Sequence, residues 1–371
     1  MHDLSGRLDF DLAGAILTID LSAIRENYRR LRGRLAGAAC AAVVKADGYG
    51  LGAAEVARAL LEEGCRTFFV AHGSEGIALR QALGPGPEII VLNGIHPGAE
   101  DLCAAAGLVA VANSPEQLAA WRETAGRLGR RLAVVVQVDS GMSRLGMSRN
   151  EVEGLAAAGN GFDGLELRLV ISHLACADAP EDPANESQRR AMAELTALLP
   201  PAPASLANSS GIFLGEAYHG DLVRPGAALY GINPTPGRPN PMLPVVTLQA
   251  KVIQTRRLEP GTGVGYAHAF RASGPLDVAT IAFGYADGWP RHLAASAWYD
   301  GIALPLAGRV SMDSIVVDIS ALPPGRLKTG DLVELLGPRQ GVDDIAARAG
   351  TIGYEVLTGL GRRFNRRYQG A

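Results

Sequence analysis

From residue 38 to about 226 the chain repeats one pattern, a short apolar run followed by a longer stretch whose apolar residues recur at helical spacing. The short runs are CAAVV (40–44), TFFVA (67–71), EIIVL (88–92), LVAVA (108–112), LAVVVQV (132–138), LRLVISH (167–173), ASLAN (204–208) and DLVR (221–224). They are rich in Val, Ile and Leu, as parallel strands of a buried sheet should be. Between them lie segments such as AAEVARALLEEG, SPEQLAAWRETAGRL and NESQRRAMAELTALL, which read as crossover helices. Eight such strands suggest a closed α/β structure, a (β/α)8 TIM-type barrel, with an open doubly wound sheet as the alternative that counting strands leaves. Around INPTPGRPNPMLP (232–244) prolines and glycines cluster, and the texture changes to VVTLQAKVIQT, DVATIAF, GIALPLAG, SIVVDIS and DLVELLG. These runs, with Gly, Pro and Asp turns between them, predict a mainly antiparallel β domain. The expected division is a barrel over 1–235 and a β domain over 236–371, with AILTIDL (15–21) free to pair with the second.

Composition narrows the class. The chain has 371 residues, long enough for two domains, and its 47% hydrophobic and 20% charged residues suit a folded enzyme rather than a disordered chain. A net charge of -3, with no Lys/Arg block before RRFNRRY, argues against nucleic acid as a partner. The start, MHDLSGRLDFDLAGAILTID, has acids before a short apolar run and reads as neither signal peptide nor anchor; no segment is long enough to span a membrane. Cys40, Cys65, Cys103 and Cys176 are far apart without a CxxC, which suits reduced thiols and no metal site. A cytoplasmic enzyme is the expectation.

In a barrel, the C-terminal strand ends converge on one mouth, where the chemistry of this architecture sits. Lys45 ends the first run, Arg144 in DSGMSRLGM follows the fifth, His173 ends the sixth, Asn208 and Ser209 the seventh, and Arg224 and Gly226 the eighth. Each has an ordinary reading: solvated charge, a Ser209 cap, a Gly226 turn, a packed Tyr49. Their joint placement favours a site. The loops after strands seven and eight are the usual phosphate site, and NSSG and RPGAALYG offer hydroxyls and N–H groups there. A lysine facing that site suits an electrophilic phosphorylated cofactor if its ammonium is deprotonated by desolvation or nearby cations. Pyridoxal 5'-phosphate needs such an amine.

The motifs resemble those of bacterial alanine racemases over nearly the whole chain: VVKADGYGLG, DSGMSRLG and VRPGAALYG in the first domain, then VGYAHAF, GYADGWPR, GRVSMD and TIGYEVLTGLGRR in the second. The resemblance implies interconversion of L- and D-alanine on pyridoxal 5'-phosphate held by Lys45. Lys45 would then serve as base on the D-alanine side and Tyr266 on the L-alanine side. Two groups on opposite faces of the Cα suffice for racemisation. It further implies a homodimer in which Tyr266 comes from the partner's second domain, and D-alanine supply for peptidoglycan as the role, with a catabolic one left open. A phenol is a poor base unless cations stabilise its anion, and His173 and Arg224 are the implied candidates. Arg224 would meet the pyridine nitrogen and leave it unprotonated, making the ring a weak electron sink. Tyr49, Ser209, Gly226, Ala227 and Tyr354 would hold the phosphate, with Asn208 beside them. Arg144 and the Met312 N–H would take the substrate carboxylate, and Tyr285 and Tyr354 would narrow the entrance.

Two positions depart from the family pattern. Gln137 stands where many members have a carbamylated lysine that supports the arginine, so a bound chloride or another group is expected near Gln137 and Arg144. Leu51 replaces a frequent histidine and implies a local packing change. A broader-specificity or serine racemase, a decarboxylase on the same scaffold and a non-catalytic pyridoxal-phosphate homeostasis protein are the alternatives. The C-terminal β region argues against the last.

Overall fold

The computed structural model describes residues 10–370, which divide into two compact units, 23–243 and 10–22 with 244–370. In the first, strand segments Ala39–Cys40 and Ala42–Val43 are followed by Thr67–Val70, Glu88–Val91, Val109–Ala112, Leu132–Gln137, Leu165–Ile171, Ala204–Ser205 and Leu222–Val223. Neighbours pair in parallel in chain order, with Phe68 opposite Ile89, Ala110 opposite Val134 and Val136 opposite Val170. Leu222–Val223 returns to pair with Ala39–Cys40, and Val43 N–H donates to Pro225 O at 2.9 Å, while Arg224 N–H donates to Ala207 O at 2.9 Å. The sheet is therefore a closed (β/α)8-type barrel, and the open-sheet alternative is excluded.

Strand interiors are fully buried at Phe68, Phe69, Val134, Val135 and Val136, as their unbroken apolar runs require. The helix Pro115–Leu128 shows how a crossover is specified. Ser114 accepts the Gln117 N–H, Pro115 opens the first turn and Gly129, at φ 62°, ends it. Its Leu118, Trp121 and Ala125 form one buried stripe, and Trp121 Nε1 donates to Ala133 O at 2.9 Å, so the indole's polar edge is satisfied as it packs on the strand. Burying a side chain of this size contributes about 1.5–3 kcal/mol. The seventh crossover differs from the rest: no α-helix forms between 205 and 222, only the 3-10 turns Gly211–Phe213 and Glu216–Tyr218. The eighth strand is followed directly by one such turn, Ala227–Tyr230.

In the second unit the long strand Val246–Leu258 pairs antiparallel with Ala15–Asp20, Leu332–Leu336 and Leu276–Ile281, changing register between Val252 and Gln254. Ala15–Asp20 lies between that strand and the parallel Asn365–Gln369. Ile315–Asp318 extends one edge and the hairpin Ser296–Tyr299/Ile302–Pro305 the other. A small hairpin, Gly263–Val264 with Phe270–Arg271, packs through Val264 against Leu258, Val278 and Ala307. The helices Val342–Ala349 and Gly353–Gly359 complete the unit.

Candidate active site

The barrel mouth is built first by an unusual turn. Directly after Val44, whose N–H donates to Phe69 O, the backbone turns left-handed at Ala46 (φ 53°), Asp47 (55°), Gly48 (63°) and Tyr49 (55°). Each non-glycine residue in that conformation costs about 1–2 kcal/mol, so neighbouring groups must hold it. Gly50 N–H returns to Ala46 O at 2.7 Å, Asp47 Oδ1 accepts Ala53 N–H at 3.0 Å, and Glu75 Oε1 accepts Ala46 N–H at 2.7 Å. Glu75 Oε2 meanwhile accepts the N–H groups of Ala71 at 2.7 Å and His72 at 3.1 Å, at the end of the next strand. One carboxylate thus ties two strand ends together beside Lys45.

Lys45 is the first residue of that turn. Burial, reinforced by the Arg144 charge, lowers its pKa, while Glu75 opposes the shift. A lowered pKa enlarges the neutral amine population, which is the nucleophilic form.

Arg144 lies in a loop that Asp139 folds by accepting the N–H groups of Gly141 (2.9 Å), Met142 (2.9 Å) and Ser143 (3.1 Å). Buried Gln137 braces the loop's far side, its Nε2 donating to Leu145 O at 3.2 Å. Gly146, at φ 108°, is pressed against that brace: a Cβ there would lie 3.1 Å from Gln137 Cγ and 2.8 Å from Val138 C. Leu51 is fully buried.

His173 has its pKa lowered to about 3 by burial, then by Arg224, Arg144 and Lys45. It is a neutral imidazole near neutral pH, so the cation of the pair expected to support a phenolate is Arg224 alone. Gln188, 2% exposed, fixes the His173 backbone by donating to His173 O at 2.9 Å and accepting Ala175 N–H at 2.8 Å. Arg224 is 4% exposed and keeps its charge, burial lowering its pKa only to about 10. Its Nη atoms donate to Ser205 O at 2.8 Å, to the Ser205 hydroxyl and to Ser172 O at 2.5 Å.

These residues fit pyridoxal 5'-phosphate. A buried guanidinium bonded only to neutral oxygens suits a cofactor acceptor, since among the described residues no carboxylate pairs with Arg224. Ser209 Oγ accepts Gly226 N–H at 3.0 Å and Ala228 N–H at 3.2 Å, which leaves its own O–H to donate to a phosphate. Gly226 has no room for a side chain, because a Cβ would sit 2.2 Å from the Tyr49 hydroxyl. Tyr49 stacks on Tyr230, centroids 4.6 Å apart, and Ala227 begins the turn beside them. Asn208 spends its Oδ1 on Gly211 N–H at 2.9 Å and so shapes the seventh loop.

The other candidates lie on the β unit. Tyr266 sits on the turn of the small hairpin, after Gly265 at φ 65° and before Ala267 at φ 57°, and is 65% exposed. Tyr285 and Met312 lie on adjoining loops, with Tyr285 N–H donating to Ser311 O and Ala286 N–H to Met312 O, both at 3.0 Å. The Met312 N–H itself donates to no acceptor among the described residues. Tyr354 is on the helix Gly353–Gly359. For buried apolar packing these four are misplaced, since Met312 is 50%, Tyr354 38% and Tyr285 37% exposed. Sequence reading missed Glu75, whose Ala46 partner lies 29 positions earlier, and Gln188, which folds back on the chain at His173.

Residues 19–234 match the family described as alanine racemase, N-terminal domain, and residues 245–368 its C-terminal domain. A protein of Mesorhizobium japonicum named "Alanine racemase, catabolic" is 67% identical over 358 residues, covering 96% of this chain and 94% of that protein. An Agrobacterium fabrum protein of the same name is 53% identical over 96% of this chain and 92% of its own. The crystal structure of alanine racemase from Bartonella henselae with covalently bound pyridoxal phosphate superposes with a TM-score of 0.92 at 41% identity, over 96% of this chain and 99% of that one. With both domains matched in order, the chain belongs to the alanine racemase family.

Proposed function

We propose that the chain interconverts L- and D-alanine with pyridoxal 5'-phosphate, and that Lys45 and Tyr266 move the Cα proton on opposite faces of the substrate. When bound, the cofactor withdraws electron density from the substrate Cα–H bond and so makes its proton removable. The observation that carries the reading is Lys45, an amine of lowered pKa at the mouth that also holds Ser209 and the uncompensated Arg224. Lys45 holds the cofactor and exchanges the proton on one face; Tyr266 Oη serves the other. Arg224 would meet the pyridine nitrogen as a donor that does not give up its proton. Ser209, Tyr49, Tyr354 and the backbone at Gly226 and Ala227 hold the phosphate, with Asn208 fixing their loop. Arg144 and the Met312 N–H orient the alanine carboxylate, and Tyr285 with Tyr354 limits side-chain size. His173, neutral, adds no charge of its own, so Arg224 is the cation that would steady the phenolate.

A homodimer with shared sites accounts for the exposure of Tyr266, Tyr285, Met312 and Tyr354, which a partner subunit would cover. The test uses two variants. Lys45→Ala and Tyr266→Phe each lose racemisation alone, and mixing the unfolded chains and refolding them together restores part of it, because the mixed dimer keeps one site with both bases. No restoration would sink the shared-site reading, and a fully active Tyr266→Phe would sink the two-base reading. The free state of Cys40, Cys65, Cys103 and Cys176 suits the reducing cytoplasm. The names of the two relatives favour a catabolic role over D-alanine supply for peptidoglycan. Dependence of growth on added D-alanine once the chain is lost would reverse that preference.

A further inference from the structure

Behind Tyr285 and Met312 the β unit contains a charged knot. Asp287, 6% exposed, receives both arms of the Arg363 guanidinium, Nε to Oδ1 at 2.9 Å and Nη2 to Oδ2 at 3.0 Å. The remaining arm, Nη1, donates to Asp313 Oδ1 at 2.7 Å. These residues come from three segments: the 284–288 loop, the 311–313 loop and the chain leaving the helix Gly353–Gly359. Asp287 Oδ2 also accepts Gly284 N–H at 2.9 Å, and Gly361 N–H donates to Asp287 O at 3.0 Å.

The segments touch without slack. A Cβ on Gly284 would fall 2.3 Å from Met312 O, and one on Gly288, at φ 103°, 2.3 Å from Gly359 O. An ordinary surface ion pair contributes little, but this one is bidentate onto a buried carboxylate, the arrangement in which arginine adds geometry as well as energy. Without Arg363, Asp287 would be left a buried carboxylate with backbone N–H support only, and the 311–313 loop would lose its charged tether.

We propose that Arg363 is a positioning residue for alanine binding: its fork on Asp287 and Asp313 fixes the Tyr285 ring, the Met312 N–H and the helix carrying Tyr354 as one body. The proposal rests on the substrate-facing reading of Tyr285 and Met312 given above. Because the N–H holds the carboxylate before as well as during reaction, its misplacement weakens ground-state binding and turnover is affected less.

The experiment compares Arg363→Ala and Arg363→Lys holoenzymes with wild type, reading KM for L-alanine and, by calorimetry, the Kd of propionate, a carboxylate that does not react. In Arg363→Ala both constants rise about tenfold while kcat and the bound-cofactor absorbance stay within about twofold. Arg363→Lys recovers little, since one ammonium cannot span two carboxylates as the fork does. Both constants unchanged in Arg363→Ala would overturn the proposal. Should that variant fail to fold, Asp313→Ala removes only the acceptor of the more exposed arm and is read the same way: a smaller parallel rise supports the tether, and no change overturns it. Tyr285→Ala separates the premise. If it leaves the relative rates on larger amino acids unaltered, the substrate-facing reading fails; if those rates change while Arg363→Ala is silent, only the tether fails.

Discussion

Replacing Glu75 with glutamine tests whether the left-handed turn after the first barrel strand is held from outside. The carboxylate accepts three N–H groups, Ala46 on one oxygen and Ala71 and His72 on the other. Glutamine keeps the shape but has one acceptor oxygen, so an amide NH2 must confront an N–H donor whichever way it flips. If the oxygen stays with Ala71 and His72, the Ala46 bond is lost. A hydrogen bond to a charged group contributes about 1.5–3 kcal/mol. The strain it opposes is comparable, since Ala46, Asp47 and Tyr49 in the left-handed region together cost about 3–6 kcal/mol. The expected loss is about 2 kcal/mol, which for a unit of this size lowers the melting temperature by about 4–8 °C. Thermal unfolding of the cofactor-free protein measures it. A second readout follows from charge: Glu75 raises the Lys45 pKa, so Glu75→Gln shifts the pH midpoint for capture of pyridoxal 5'-phosphate downward. A melting temperature within about 1 °C of wild type, with an unmoved midpoint, would refute the clamp.

Two further outcomes follow from the mouth. The pKa of His173, about 3 in the fold against an ordinary 6.5, means that between those values the unfolded chain binds the extra proton. Its contribution to stability is complete above pH 6.5 and is lost as pH falls towards 3. The expected result is that His173→Gln loses stability less steeply than wild type over that interval in pH-dependent unfolding, and parallel curves would contradict it. Chloride beside Gln137 and Arg144 is proposed because Arg144 adds charge next to Lys45 and has no acceptor among the described residues, while Gln137 brings no negative charge. Exchange of chloride for a large organic anion should then raise KM for alanine with kcat little changed; identical kinetics would mean that the Gln137 bond to Leu145 braces the loop alone.

What the sequence made legible was whatever is local in character. Parallel strands buried on both faces are largely apolar, so eight runs could be counted, although Leu165–Ile171 leaves Glu166 and Arg168 exposed; a polar residue closing such a run, as Lys45 and His173 do, falls at the mouth. The turn at 46–49 was not legible, because only one of its four residues is glycine and the groups that hold it, Glu75 above all, come from another crossover. Within its own segment, GSEGIALR, that glutamate reads as an ordinary first-turn acid, and it does cap its helix. The missing α-helix of the seventh crossover also escaped notice, since NSSGIFLGEAYHGD carries apolar residues but is used up by two short turns before Gly220 comes within 2.5 Å, counted from a hypothetical Cβ, of Ala204 O.

The neutrality of His173 is a property of its surroundings. Nothing in LRLVISH announces the three cations around the ring, drawn from the ends of strands one, five and eight. The same holds for Arg363, which in GRRFNRRY looks like one of a solvated set and is distinguished by carboxylates 76 and 50 positions earlier. Groups proposed to touch the substrate must lie at the mouth or on the exposed loops, where the strand pattern or a motif points to them. The groups that hold those in place act across the fold, and the chain order carries no trace of the pairing. Glu75 and Arg363 do the same physical work on opposite units: each spends a charge on holding two or more backbone segments whose conformations are strained or tightly opposed. That is why substitution of Glu75 should alter the Lys45 titration, and substitution of Arg363 the binding of alanine, before either abolishes the reaction.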